Sequence, residues 1–153
     1  MINVIEKYYE YAQLSQASYG LFTSYDAASV KARLKDKDFT ELQASIFSDP
    51  STGYTLLSHQ PNTLSGFSAS VFQSAGEYTL AIRGTEVDLA GLITDWGTAN
   101  IADIGFNGIA IKQAVDLMNY YQRLTAVAGQ PLVQYQYVDG PVLPGVPGYS
   151  ITE

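Results

Sequence analysis

Three closely spaced β-rich segments constrain the fold of this chain more than any other feature. Each is rich in β-branched and aromatic residues, which favour strands. They are GYTLLSHQ (53–60), GFSASVFQ (66–73) and EYTLAIRG (77–84). The short connection QSAGE suits a hairpin, so we predict antiparallel strands, with 77–83 in the interior of the sheet. In the second segment Phe67, Ala69 and Val71 alternate with Ser68 and Ser70, which predicts one exposed face.

Helical patterns flank these strands. Residues 2–19 have apolar or amphipathic side chains at spacings of three and four, which predicts a helix. These side chains are Ile5, Tyr8 or Tyr9, Ala12, Gln16 and Tyr19. AASVKARLKDKDFT, which follows Asp26, predicts a second, short surface helix.

The clearest helical pattern comes later in the chain. Its apolar stripe consists of Ala110, Ala114, Leu117, Tyr121 and Leu124. PLVQYQYV (131–138) then resumes strand character, and the proline- and glycine-rich residues 139–153 predict a loop or tail. The order of helix, antiparallel strands, helix and strand predicts an α/β fold.

Composition narrows the class of protein. The 153 residues suit one globular domain. The net charge of −7 argues against a nucleic-acid partner, because such binding needs a basic patch. The chain has no cysteine and one histidine, so disulfides, thiolate sites and histidine-cluster metal sites are excluded.

The start of the chain, MINVIEKYYEYAQ, lacks the basic and apolar regions of a signal peptide. No run approaches the ~20 apolar residues of a membrane-spanning helix. For localisation, we favour secretion without an N-terminal signal peptide over a cytoplasmic location.

Candidate chemistry is concentrated after the third strand, at Arg83-Gly84-Thr85. Glycine permits unusual backbone angles, and the threonine offers an N–H and a hydroxyl that can donate to a developing oxyanion. The alternative is a simple turn capped by the threonine. A long loop with Asp88, Asp95, Trp96 and Asp103 follows, and such loops often carry function.

The run LAIRGTE, followed by DW, AN, D and then GIA before a helix, resembles the α/β-hydrolase lipases of class 3, the fungal-lipase-like type. It is especially similar to bacterial lipases, including those fused to calcium-binding repeats. AQLSQASYG (12–20) resembles the N-terminal helix of the family, and GFSASVFQSAGEYTLAIRGTE resembles its opening hairpin. The resemblance covers nearly the whole chain.

The resemblance implies that Thr85 is the oxyanion-hole residue and that Asp95 and Trp96 shape the loop beside the active site. It also implies a Gly-X-Ser-X-Gly elbow after the next strand, with an aspartate and a histidine later. The chain contains no such elbow. We therefore expect residues 1–138 to be the N-terminal portion of a lipase domain that hydrolyses fatty-acyl esters, ending before the nucleophile elbow and lacking the triad.

The expected partners are an acyl-ester lipid, the remaining C-terminal part of the hydrolase domain and, through an open sheet edge, a second copy. No metal site or cofactor is predicted, with calcium on Asp88, Asp95 and Asp103 as an alternative in the complete protein. His59 is predicted to be structural, because LLSHQPN reads as a strand-to-turn transition well before the catalytic end of the sheet. Two other functions stay open: a non-catalytic binding or scaffold module, and a tyrosine-rich module that stacks on glycans.

Overall fold

The computed structural model describes residues 3–83, 111–143 and 146–152, and beyond Tyr137 it describes the course of the backbone. The chain divides into two compact units. We call Met1–Thr63 with Phe67–Gly84 unit 1, and Leu64–Gly66 with Thr85–Glu153 unit 2.

Unit 1 contains three helices followed by three strands. They are α1 (Val4–Ala17), α2 (Ala27–Lys35), α3 (Glu41–Phe47), β1 (Thr55–Gln60), β2 (Ala69–Ser74) and β3 (Glu77–Ile82). The strands form an antiparallel sheet in the order β1-β2-β3. This combination confirms the prediction of a mixed helix-and-strand fold with an antiparallel sheet.

The β2–β3 connection is a two-residue turn. Ser74 pairs with Glu77, and the two residues between them, Ala75 and Gly76, have φ angles of 49° and 84°. Positive φ at both central residues is the signature of a type I′ hairpin turn, whose twist matches that of the flanking strands. The predicted hairpin is confirmed. Among the described strands, however, β3 lies at the end of the sheet and not in its interior.

The central strand β2 is buried on both faces. Phe72 and Ser70 are 0% exposed on one face, and Ala69 is 0% exposed on the other. The prediction of an exposed serine face is therefore wrong. It failed because alternation of small polar and apolar residues also suits a central strand whose hydroxyl groups find hydrogen-bond partners.

Aromatic rings fill the core of unit 1. Phe72 makes edge-to-face contacts with Phe22 and Phe47, with ring centroids 6.0 and 5.5 Å apart. Phe39 contacts Phe47 in the same manner at 5.6 Å. Edge-to-face pairs add to the free energy gained from burial alone, so we expect this cluster to contribute strongly to the stability of the unit.

Side-chain caps define where the helices begin. Asn3 caps α1 and Thr40 caps α3, each in a reciprocal capping box, with Glu6 and Gln43 respectively. Asp26 caps α2, where hydrogen bonds from Ser24 and Ser29 hold the pKa of its carboxyl group well below its usual range. The sequence pattern did not predict α3, although the Thr40–Gln43 spacing is a helix-start signal.

The apolar and amphipathic side chains whose spacing predicts α1 are not the ones that the helix buries. Leu14 and Ala17 are buried, whereas Ile5, Tyr8 and Tyr9 are 72%, 68% and 53% exposed. The helix itself is confirmed, but its apolar stripe faces away from the buried core of unit 1.

Unit 2 consists of α4 (Ile111–Thr125), β4 (Gln136–Leu143) and β5 (Val146–Thr152), in which the two strands pair as an antiparallel hairpin. On α4, Val115 and Tyr120 are buried, while Tyr121 of the predicted stripe is 59% exposed. No helix among the described residues has the length and apolar character needed to cross a membrane.

Residues 131–135, which were predicted to be part of a strand, are irregular, and at Tyr135 a single asparagine on α4 takes the place of a strand partner. Asn119 donates from Nδ2 to the carbonyl of Tyr135 at 2.8 Å and accepts from the Tyr135 N–H at 2.7 Å. The strand consequently begins at Gln136, because the backbone groups of Tyr135 are already satisfied by a side chain.

The residues predicted as a proline- and glycine-rich loop or tail instead include most of the β4–β5 hairpin. Pro141 pairs in register with Pro147, beside an irregularity between Pro141 and Leu143. A two-stranded hairpin leaves each strand with one outer edge that needs no ladder hydrogen bond, which is where proline is tolerated.

Candidate functional site

The residues predicted for the site, Thr85, Asp95 and Trp96, lie outside the described residues, as do Asp88 and Asp103. The described structure reaches Arg83, two positions before Thr85. The candidate site is therefore built from the end of the sheet at which β3 stops.

Three strand ends meet at this end of the sheet. Gln60 at the end of β1 pairs with Ala69 at the start of β2, which pairs with Ile82 at the end of β3. Because neighbouring strands are antiparallel, the last residues of β1 and β3 lie on the same side as the first residue of β2.

Arg83 is fixed at this end by its main chain and its side chain. Its N–H donates to the carbonyl of Ser68 at 2.9 Å, and Nη2 donates to Oδ1 of Asn62 at 2.7 Å. Ser68 is itself buried and donates from Oγ to the carbonyl of Gln60 at 2.9 Å. The backbone is thus held in place immediately before Gly84.

His59 lies at the same end of the sheet. It pairs with Ser70 across β1–β2, and Ser70 pairs with Ala81 across β2–β3. The expectation that His59 lies well before this end was therefore wrong. It failed because the antiparallel register, which composition does not define, sets the level of each residue along the sheet.

The imidazole of His59 is held by its surroundings. Nδ1 lies 2.9 Å from Oγ of Ser70, and the ring makes an edge-to-face contact with Phe22 at 5.4 Å. The backbone N–H of His59 donates to the hydroxyl of Tyr25 at 3.3 Å. These contacts orient the ring and cover the neighbouring part of β1.

Burial lowers the pKa of His59 below its ordinary value of 6.5, and the positive charge of Arg83 lowers it further. A hydrogen bond involving the backbone of Ala69 acts in the opposite direction. The imidazole is accordingly neutral at pH 7, so it can accept a hydrogen bond from the Ser70 hydroxyl.

The His59–Ser70 distance is that of a nucleophile and its general base, but the setting is structural. Ser70 is 0% exposed, so no substrate carbon can reach its Oγ. No carboxylate among the described residues is hydrogen-bonded to His59, so the acid of a triad is not supplied there. This pair was not predictable from the sequence pattern, because His59 and Ser70 lie on different strands and meet only through the β1–β2 register.

Other described surfaces offer less chemistry. No group of three or more Asp, Glu or His side chains in residues 3–83, 111–143 and 146–152 could hold a metal ion. A depression of about 340 Å³ lies between α2 and α3, lined in part by Lys31, Ser48 and Asp49. Lys31 and Lys35 both pair with Glu41, which lowers the pKa of Glu41 to about 2.

Comparison with known proteins adds no relative: no protein-family model, no curated protein and no solved structure matches this chain.

Proposed function

We propose that this chain is the N-terminal part of a lipase or esterase of the α/β-hydrolase fold. It would act on fatty-acyl esters together with a C-terminal part that supplies the serine, aspartate and histidine. In this proposal the chain contributes the oxyanion-hole side of the site through Thr85, with Asp95 and Trp96 in the neighbouring loop.

The observation that carries the proposal is the end of β3. The strand stops at Ile82, and Arg83 is held by hydrogen bonds to Ser68 and Asn62. The lipase-like motif continues directly as Gly84-Thr85. An oxyanion hole needs donors whose positions are set before the reaction, so a firmly held strand end is a suitable support for it.

The sheet is compatible with further strands. β1 and β3 are the outer strands of the described sheet, and an outer strand retains N–H and C=O groups that can pair with another strand. The helices α1, α2 and α3 precede this sheet, an order compatible with the N-terminal part of a hydrolase domain.

The test is a chromogenic acyl-ester assay on the purified chain, with and without the segment encoded downstream of it. We expect turnover and stoichiometric fluorophosphonate labelling of the segment's serine only in its presence. Turnover with labelling of a serine in this chain would contradict the missing triad. An inactive complete protein would favour the binding or scaffold alternative.

Variants of Thr85 in the active complete protein test the role of this residue. Thr85→Pro removes the backbone N–H and should lower kcat by about 10²–10³. Thr85→Val retains the N–H and separates its role from that of the hydroxyl. Thr52→Val, in an exposed turn of unit 1, is the matched control and should leave kcat unchanged. An unchanged kcat in Thr85→Pro would reject the role.

A further inference from the structure

The first half of α1 is exposed around its whole circumference. Every residue from Val4 to Ala12 is exposed, and contact with the core begins only near Leu14. This half nevertheless carries large apolar and aromatic side chains, with Val4 63% exposed and Ile5 72% exposed. Such a contiguous exposed apolar surface marks an interaction site.

The exposed apolar side chains lie on one side of the helix. At about 100° per residue, Val4, Ile5, Tyr8, Tyr9 and Ala12 form a continuous stripe. The charged residues of this half of the helix are Glu6, Lys7 and Glu10, and they lie outside the stripe, towards the side that carries Leu14. An uncharged stripe on a chain with a net charge of −7 is a surface on which two copies meet without charge repulsion across the contact.

Two aromatic rings, that of Tyr9 in the stripe and that of Tyr11 beside it, have side-chain contacts that favour one orientation. Nε2 of Gln13 donates to the hydroxyl of Tyr9 at 3.1 Å, and Nζ of Lys7 lies 5.6 Å from the ring centroid of Tyr11. Rings that are held before association lose less side-chain entropy when the surface is covered.

We propose that α1 is a homodimer interface, in which the stripes of two copies pack antiparallel about a two-fold axis near Tyr8 and Tyr9. A two-fold contact brings the same surface patch of each copy together, so the patch must complement itself. With the axis between Tyr8 and Tyr9, each Tyr8 lies opposite Tyr9 of the second copy, and Ile5 lies opposite Ala12. The large side chain of Ile5 thereby faces a small one.

The area of the stripe is compatible with a second copy as its partner. Its tyrosine and aliphatic side chains offer roughly 500 Å² per copy, so complete burial of both stripes would cover about 1,000 Å², the lower bound for a specific interface. A lipid surface fits less well, because membrane-surface helices carry Lys and Arg beside the apolar face, whereas α1 has Glu6 and Glu10 against one Lys7. The proposal is independent of the proposed enzymatic function.

Sedimentation velocity over a range of about 1–200 µM protein tests the proposal, since interfaces at the lower end of the size range are typical of weak complexes. We expect a shift from monomer to dimer for the wild type and for Leu42→Glu. Leu42 is 69% exposed on α3, so this variant is a control with the same change of charge. Tyr8→Glu should remain monomeric, with far-UV circular dichroism showing that its helix content is retained.

A second variant separates a fitted interface from general stickiness. Ala12→Phe adds apolar area but places a large side chain opposite Ile5, so it should weaken the dimer at least tenfold. Monomer at every concentration, a dimer that persists in Tyr8→Glu, or a dimer strengthened by Ala12→Phe would each overturn the proposal. Flotation of the wild type with phosphatidylcholine–phosphatidylserine vesicles, lost in Tyr8→Glu, would assign the stripe to lipid instead.

Discussion

Unit 1 and unit 2 are stabilised by different kinds of contact. The described part of unit 1 has a contiguous apolar core that includes Phe47, Phe72 and Leu34. In the described part of unit 2, the buried hydrophobic side chains are Val115 and Tyr120. The contacts between α4 and the segment before β4 are largely polar, such as the hydrogen bonds between Asn119 and the backbone of Tyr135.

This difference indicates where each unit is vulnerable. Apolar burial is distributed over many contacts, whereas a polar contact depends on a few atoms with defined geometry. Unit 1 should therefore tolerate surface changes and respond to cavities in its core. Unit 2 should respond to the loss of single hydrogen-bonding groups.

The largest effect is expected from Phe72→Ala. Phe72 is 0% exposed and contacts Phe22, Phe47 and Tyr54, so its truncation leaves a cavity at the centre of unit 1. The free energy of unfolding of unit 1 should fall by about 3–5 kcal/mol. Denaturant-induced unfolding, monitored by amide hydrogen exchange in α2 and β2, measures this change in the free energy of unfolding.

Leu42→Ala, on the exposed face of α3, is the control for Phe72→Ala and should change stability by less than about 0.5 kcal/mol. A loss below about 1 kcal/mol for Phe72→Ala would mean that the aromatic cluster does not dominate unit 1.

Asn119→Ala should cost unit 2 about 1–3 kcal/mol, because it leaves the N–H and C=O of Tyr135 without their side-chain partners. Amide exchange at Tyr135 and along α4 reports the change. Asn119→Asp keeps the acceptor for the Tyr135 N–H but loses the donor, so its effect should be intermediate. Equal exchange in the wild type, Asn119→Ala and Asn119→Asp would show that unit 2 does not depend on these hydrogen bonds, which contradicts the contrast drawn with unit 1.

A gain in stability is expected at the β2–β3 turn. Ala75 has φ 49°, in the left-handed region that is unfavourable for alanine and is better tolerated by asparagine. Ala75→Asn creates the preferred Asn-Gly turn and should stabilise unit 1 by about 0.5–1 kcal/mol. Ser74→Asn, one residue outside the turn, is the control. Equal shifts in the two unfolding midpoints would show that the backbone angle is not the cause.

The secondary structure of unit 1 was largely predictable because its signals are local. The strands and the β2–β3 hairpin follow from side-chain composition and a short connection, and α1 follows from its spacing of apolar residues. The sequence did not predict which side of α1 contacts the core. An apolar stripe indicates that one side of a helix is suited to burial, but it does not specify which surface buries that side. In the described part of unit 1, Ile5 and Tyr8 are exposed and lie outside the buried core.

The site was less predictable than the fold. The alternation of Ser68 and Ser70 with apolar residues does not reveal that their hydroxyl groups bond to Gln60 and His59, since those contacts depend on the β1–β2 register. In unit 2, composition favoured strand 131–138 and a loop beyond it. The contact between Asn119 and Tyr135 joins residues 16 positions apart, which composition cannot specify. The pairing of Pro141 with Pro147 is local, but proline and glycine are typical of loops, so composition did not indicate a strand there.

The smallest effect concerns pH, and it discriminates between the units because His59 is the only histidine of the chain. Its folded-state pKa lies below 6.5, so the folded protein binds fewer protons at this site than the unfolded chain does. Its contribution to stability is then complete above pH 6.5 and is lost as the pH falls through 6.5 towards the folded-state pKa.

We therefore expect unit 1 to lose stability as the pH falls through about 6.5, a range in which few other side chains titrate. His59→Gln removes the titrating group and keeps a side chain that can hydrogen-bond to Ser70, so its stability should vary less with pH. Amide exchange at several pH values, corrected for the intrinsic exchange rate, should show the difference in β1 and β2 and not in α4. If the two proteins have the same pH dependence, the imidazole is as accessible to protons in the folded chain as in the unfolded one. If α4 responds as strongly as β2, the two units do not unfold as separate bodies, and the contrast between their cores describes one cooperative structure.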